Sequence, residues 1–204
     1  MIKINTMLSF SDLTKTALLI LAEGAEEMEA VIIADILRRG GITVTIAGLE
    51  GTGPVKCSRN VVLLPDDSLE NALQKQSLYD CVVLPGGLHA AELYSKSGAV
   101  GDVLRHHDRE KRIVAAICAA PLALVAHGIG VGKTITAYPT VTEDIPPTYN
   151  VKDSSLDKYV IDENIVTSPG PGLTFLFALK LVELLAGRDE EFIVEKTILY
   201  TGPF

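Results

Sequence analysis

The sequence contains no tryptophan, only 5% aromatic residues and three cysteines among 204 residues. With so few rings the core has to be built from aliphatic side chains, which suits helices packed against a sheet. The three thiols, Cys57, Cys81 and Cys118, are too few and too far apart for a secreted disulfide framework or a four-thiolate zinc site. They point to a reducing compartment, with the cytoplasm as the default. Also missing is any apolar run near the ~20 residues of a membrane span, and residues 1–14 show neither a signal-peptide core nor an Arg-rich transit pattern. There is no basic run either. A net charge of −8 therefore disfavours direct nucleic-acid binding and electrostatic attachment to an anionic membrane. Neither an internal repeat nor an interdomain linker is visible, so the expected organisation is a flexible extension over residues 1–14 followed by a single domain over 15–204.

What is present is an alternation of short aliphatic runs and amphipathic segments. Residues 16–22 read as a strand covered on both faces, 26–39 as a helix stopped by Gly40-Gly41, and 42–47 as a second strand. A small hairpin over 55–58 and 61–64 is followed by a Ser68-capped helix to residue 74 and a buried strand over 81–84. Helix is expected over 91–112 with a break near Ser97-Gly98, then strands over 113–117 and 134–137. Residues 139–158 carry no assignable pattern. Strands over 159–161 and 165–168, a bend at 169–172, a long helix over 173–186 and a weaker one from 190 complete the chain. Such alternation predicts an α/β fold with a mainly parallel sheet, helices on both faces and a ligand site beyond the carboxyl ends of the strands.

The stretch 112–128, RIVAAICAAPLALVAHG, sets an apolar strand directly before Cys118 and puts Pro121 in a first-turn helix position. Cys118 therefore falls on a strand-to-helix corner. Its neighbours form an all-alanine version of the nucleophile elbow, in which small residues two positions either side let strand and helix approach. A thiol on such a corner points out of the turn, and the N–H groups that begin the next helix favour its thiolate form. The spacing predicts a reactive thiolate at Cys118. A free cysteine that merely fills apolar space is the plainer alternative, and it is the reading for Cys81 inside CVVL, while Cys57 in VKCSR reads as peripheral.

At about 100° per residue, Glu29 shares a helix face with Ile33, Ile36 and Leu37, whereas Glu27 falls on the opposite side near Arg38. Burial on that apolar stripe would raise the Glu29 pKa and leave a carboxyl able to donate to a thiolate or to act as general acid and base. First-turn acids that only complement the helix dipole account for Glu26 and Glu27, but not for the face of Glu29. Pro85-Gly86-Gly87 ends another strand, so the Gly87 and Ala119 N–H groups are candidate oxyanion donors, with an ordinary glycine turn as an equal alternative. His127 follows Cys118 on the same helix by nine residues, a rise of about 13 Å, which removes it as the thiol's partner and leaves a helix-end cation. His106 and His107, in RHHDREKR, read as solvent-facing. His89, two residues past Gly87, is the remaining candidate for proton transfer.

The stretches GAEEMEA (24–30), VKCSR (55–59), VVLPGG (82–87), AAICAAPLALVAHGIG (115–130) and TSPGPG (167–172) span the chain in order from about residue 15 to about 200, counting the helix after the last. Together they resemble the DJ-1 branch of the DJ-1/PfpI superfamily. The resemblance implies a flavodoxin-like three-layer sandwich, a homodimer and no cofactor or metal. It maps a redox-sensitive nucleophile onto Cys118 and its protonated carboxyl partner onto Glu29. Gly86, with the N–H groups of Gly87 and Ala119, would lie at the pocket, and Arg59 would approach it from a partner subunit. Two positions depart from the pattern: Tyr138 stands where the family commonly has a pocket histidine, and Pro169 where it has an arginine on the dimer surface.

The activity implied is a cofactor-independent glyoxalase or protein deglycase acting on small aldehydes such as methylglyoxal and on early glycation adducts of proteins, within an oxidative-stress response. The alternative is a non-enzymatic redox sensor or chaperone working through oxidation of Cys118 to the sulfinate. A peptidase-like or amidotransferase-like hydrolase is a third reading, disfavoured by the missing histidine base. Nuclear or mitochondrial residence beside the cytoplasm follows from the resemblance alone.

Overall fold

The computed structural model describes residues 14–152 and 158–202. All of the expected 1–14 extension except Thr14 lies outside the described residues. The chain opens with β1 (Thr16–Leu21), α1 (Glu27–Arg39) and β2 (Thr43–Gly48). A two-stranded excursion, β3 (Val55–Lys56) and β4 (Val62–Leu63), precedes a short β5 (Asp67–Ser68), α2 (Leu69–Lys75) and β6 (Cys81–Leu84). Next come α3 (Leu88–Lys96), α4 (Gly98–Arg109), β7 (Ile113–Ile117), α5 (Pro121–Ala126) and β8 (Thr134–Ile135). A 3-10 segment, Pro139–Asp144, leads to β9 (Asn150–Val151), β10 (Val160–Asp162) and β11 (Ile165–Ser168); a second one, Pro171–Leu173, leads to α6 (Thr174–Ala186) and α7 (Arg188–Thr197).

Among the described residues, the main sheet has seven strands in the order β10-β11-β7-β6-β1-β2-β5, and β10 alone runs antiparallel to its neighbour. β1, β6 and β7 occupy its middle and are almost wholly buried on both faces, which explains their unbroken aliphatic sequences. From β1 the chain moves one way to β2 and later the other way from β6 to β7. Right-handed crossovers then place α1 on one face and α2, α3 and α4 on the other. α1 packs on α6, and α6 on α7, while α3 packs on α5 and α4. The strand order reverses between β1 and β6, so a crevice opens at their carboxyl ends. That crevice receives the residues after β1, β6 and β7.

Several expectations are corrected. α3 starts at Leu88 rather than Ala91, because Gly87 at φ +96° turns the chain straight from β6 into the helix. The anticipated break falls at Ser97, whose Oγ accepts from Val100 N at 3.3 Å and caps α4. Within 139–158, the described part holds a 3-10 segment and β9, which pairs with β8. His107 is not solvent-facing but 0% exposed. One helical turn after Val103 and Leu104, it lies on the buried stripe of α4, where Nδ1 bonds Val103 O at 2.8 Å and Nε2 accepts from Tyr79 N at 3.2 Å. Burial keeps that imidazole below its usual pKa, so it sits there neutral. Cys57 is buried rather than peripheral, and Cys81 is the fully buried small side chain expected.

Candidate active site

β7 delivers Cys118 to the crevice in a conformation that L-residues rarely adopt, φ +63°, at a cost of about 1–3 kcal/mol. Backbone hydrogen bonds hold it there. Cys118 N donates to Ser168 O at 2.9 Å, Tyr138 N donates to Cys118 O at 2.7 Å, and Ala120 N closes the turn on Ile117 O at 3.0 Å. Ala116, Ala119 and Ala120 are almost completely buried around it, which is why larger residues would not fit. The side chain itself is half-buried, with the N–H groups of Gly87 and Ala119 directed at the sulfur.

Glu29 reaches this thiol from the first turn of α1. Its side chain is 0% exposed, and Gly86 N donates to Oε2 at 2.6 Å. Cys118 is the other polar group beside the carboxyl, while Oε1 has no partner among the described protein atoms. Burial pushes the Glu29 pKa up to about 8, helped by the nearby Glu26 charge and opposed by the Gly86 N–H. The carboxyl is therefore mostly protonated at neutral pH. Burial also pushes the Cys118 thiol up, to about 12, with the negative charge of Glu29 adding to the rise and the Gly87 and Ala119 N–H groups opposing it. The Glu29 contribution exists only while Glu29 is ionised. A neutral Glu29 removes that repulsion, so the two groups titrate as a pair in which losing one proton is far easier than losing both.

Two glycines make this closeness possible. A Cβ on Gly86 would lie 2.5 Å from Cys118 Cβ and 2.8 Å from Glu29 Oε2. One on Gly87 would meet Gly24 O at 2.1 Å, so β6 can turn here only as glycine.

The sulfur opens onto a cavity of about 580 Å³ whose walls include Lys56, Arg59, His89, Tyr138 and Pro171. Arg59, which the resemblance assigns to a partner subunit's pocket, lines the cavity of its own chain. Its position is set by Glu27, a residue expected to do no more than complement the helix dipole. Glu27 is instead buried, and its carboxylate accepts from Arg59 N at 2.9 and 3.1 Å and from Ser58 Oγ at 3.0 Å. Burial works against this charge, but the backbone and Ser58 hydrogen bonds outweigh it and hold Glu27 below the usual carboxylate range. No local pattern announces that role, because the partners are 31 and 32 residues away. His89 stands on the cavity wall with its imidazole 3.8 Å from Glu92. His127 turns away from the thiol, Nε2 bonding Tyr94 O at 2.8 Å. Cys57 also lines the cavity, its thiol pushed up to about 11 by burial and by Glu27 and Glu26. Among the described residues, no group of three or more His, Cys, Asp or Glu side chains is arranged to hold a metal.

A sequence profile of the DJ-1/PfpI family matches residues 15–184. The chain belongs to the DJ-1/PfpI family. This DJ-1/PfpI protein is 53% identical over 188 residues to Protein DJ-1alpha of Drosophila melanogaster, covering 92% of this chain and 85% of that one. It is 37% identical over 178 residues to the Glutathione-independent glyoxalase DJR-1.2 of Caenorhabditis elegans, covering 86% and 91% of the two chains. The crystal structure of Drosophila melanogaster DJ-1beta superposes with a TM-score of 0.89 at 46% identity, over 93% of this chain and all of the other. The DJ-1/PfpI fold expected from the sequence, a mostly parallel sheet between helical layers, is the fold found. No helix among the described residues is long and apolar enough to cross a membrane.

Proposed function

We propose that this chain is a cofactor-independent glyoxalase for small 2-oxoaldehydes such as methylglyoxal, with deglycase-type action on early glycation adducts as an extension of the same chemistry. One observation carries the reading: the Cys118 sulfur and the Gly87 and Ala119 N–H groups meet on the wall of one open cavity, with the buried Glu29 carboxyl in contact with the sulfur behind that wall. Similarity to a glutathione-independent glyoxalase supports it.

Attack begins from the singly protonated pair. The Cys118 thiolate bonds to the aldehyde carbon while Glu29 gives its proton to the carbonyl oxygen, producing a hemithioacetal. The carboxylate of Glu29 then takes the C1 proton, forming an enediolate with its negative charge on O2. It returns that proton to C2 while the hydroxyl proton passes from O1 to O2, leaving a thioester. Water cleaves the thioester to lactate and frees the thiol. C1 is oxidised as C2 is reduced, so no external oxidant or reductant enters. The Gly87 and Ala119 N–H groups stabilise charge on sulfur and on the developing oxyanion.

The homodimer belongs to the same reading, supported by exposed Met28 and Val31 on α1 and Val61 and Val62 at the β3–β4 excursion, an apolar face that a second copy would cover. A redox role is the second reading, favoured by the unpartnered Glu29 Oε1. Two equivalents of peroxide would convert the thiol to a sulfinic acid and release two waters, and the Glu29 O–H would donate to the sulfinate.

The test is methylglyoxal consumption with product identification in wild type, Cys118→Ser and Glu29→Gln, with intact-mass analysis after mild peroxide. Lactate formation lost in Cys118→Ser and reduced at least 100-fold in Glu29→Gln is expected. Equal turnover in all three removes the mechanism; no turnover, with two added oxygens on Cys118 after peroxide, leaves the redox reading.

A further inference from the structure

We propose that Tyr138 forms an aromatic wall of the Cys118 cavity and selects 2-oxoaldehydes that carry a planar, apolar substituent. The inference rests on the glyoxalase reading for its chemistry, but its geometry is independent of turnover. A cavity of about 580 Å³ lies in the range that encloses a drug-sized ligand, far more space than a three-carbon oxoaldehyde fills. Something larger than methylglyoxal fits between these walls.

The walls are chemically uneven. The β3–β4 excursion contributes the polar Lys56, Ser58, Arg59 and Asn60, whereas Leu88, Tyr138 and Pro171 come from the start of α3 and from the segments after β8 and β11. Leu88 is 67% exposed and Tyr138 40% exposed, so apolar surface is offered to the cavity mouth. Tyr138 is also tied to the nucleophile, since its N–H donates to Cys118 O at 2.7 Å. Its ring lies against Gly170, where an added Cβ would come within 3.3 Å of Cδ2. The Tyr138 backbone is thus fixed to that of the nucleophile, Gly170 lies against the ring, and Tyr138 and Cys118 line the same cavity. A planar group on the second carbonyl of the substrate can stack there once the aldehyde carbon has reached Cys118.

The experiment compares kcat/KM for phenylglyoxal and methylglyoxal in wild type, Tyr138→Phe and Tyr138→Ala, alongside the rates at which iodoacetanilide and iodoacetamide alkylate Cys118. Wild type should favour the aromatic member of each pair. Tyr138→Ala should lower both ratios roughly three- to tenfold, mainly through KM for the phenyl substrate, and Tyr138→Phe should restore them. Turnover with ratios unchanged in Tyr138→Ala overturns the aromatic wall and leaves the glyoxalase reading standing. Absence of turnover with either glyoxal, together with an alkylation ratio that falls in Tyr138→Ala, keeps the wall and removes the glyoxalase reading.

Discussion

Alanine at position 86 is expected to destabilise the fold by about 3 kcal/mol or more and to disable Cys118 in whatever protein still folds. The added methyl would stand 2.5 Å from Cys118 Cβ, 2.8 Å from Ile117 O and 2.8 Å from Glu29 Oε2. Two of those atoms belong to the elbow itself and cannot rotate away. Widening the gap would pull β6 from β7, which are paired up to Leu84 opposite Ala116. It would also break the 2.6 Å hydrogen bond from Gly86 N to Glu29. Gly53→Ala is the control, because nothing lies within 4 Å of a Cβ there. Urea unfolding of both variants makes the comparison, and a Gly86→Ala loss no larger than that of Gly53→Ala would contradict the packing.

The second large effect is on stability against pH. Unfolded, Glu29 titrates near 4.5; folded, burial raises it to about 8. The folded protein therefore holds that proton more tightly between the two values. The resulting stabilisation is complete below pH 4.5, declines as pH rises and is gone above about 8, a change of roughly 5 kcal/mol. Glu27 contributes in the opposite sense: its folded pKa is depressed, so its stabilisation is present above 4.5 and lost in acid. Subtracting the Glu29→Gln curve from the wild-type curve isolates Glu29. The difference should fall by several kcal/mol between pH 5 and 8.5, and parallel curves would mean that Glu29 is not held protonated.

The central part of the site is legible in the sequence because its signals are local. Small residues around Cys118 mark a corner that only a left-handed residue can turn, and the structure has that residue at φ +63°. Glu29 declares itself by sharing a helix face with Ile33, Ile36 and Leu37, all buried. What stays hidden depends on distant partners. Glu27 looks like a dipole-complementing acid until the β3–β4 turn folds over it and its carboxylate receives Arg59 N. His107 lies in a charged run, yet its own turn of α4 is buried, and Tyr79 supplies the N–H that satisfies it. β5 is two residues long and exists because Ala47 and Gly48 of β2 offer it an edge. The segment after residue 138 is organised by β8 pairing with β9 rather than by any period of its own.

The proton-sharing pair of Cys118 and Glu29 is tested most directly by the pH dependence of Cys118 alkylation in wild type and Glu29→Gln. In wild type, reactivity should begin to rise at or below about pH 8, where the pair gives up its first proton and a share of the charge falls on sulfur. In Glu29→Gln the thiol keeps its burial but loses its proton partner. Without a carboxyl O–H to stabilise the thiolate, the onset of reactivity should move up by at least one pH unit, with alkylation at pH 7 slowed about tenfold or more. Identical profiles in the two proteins, both centred near the free-cysteine value of ~8.5, would contradict the pairing.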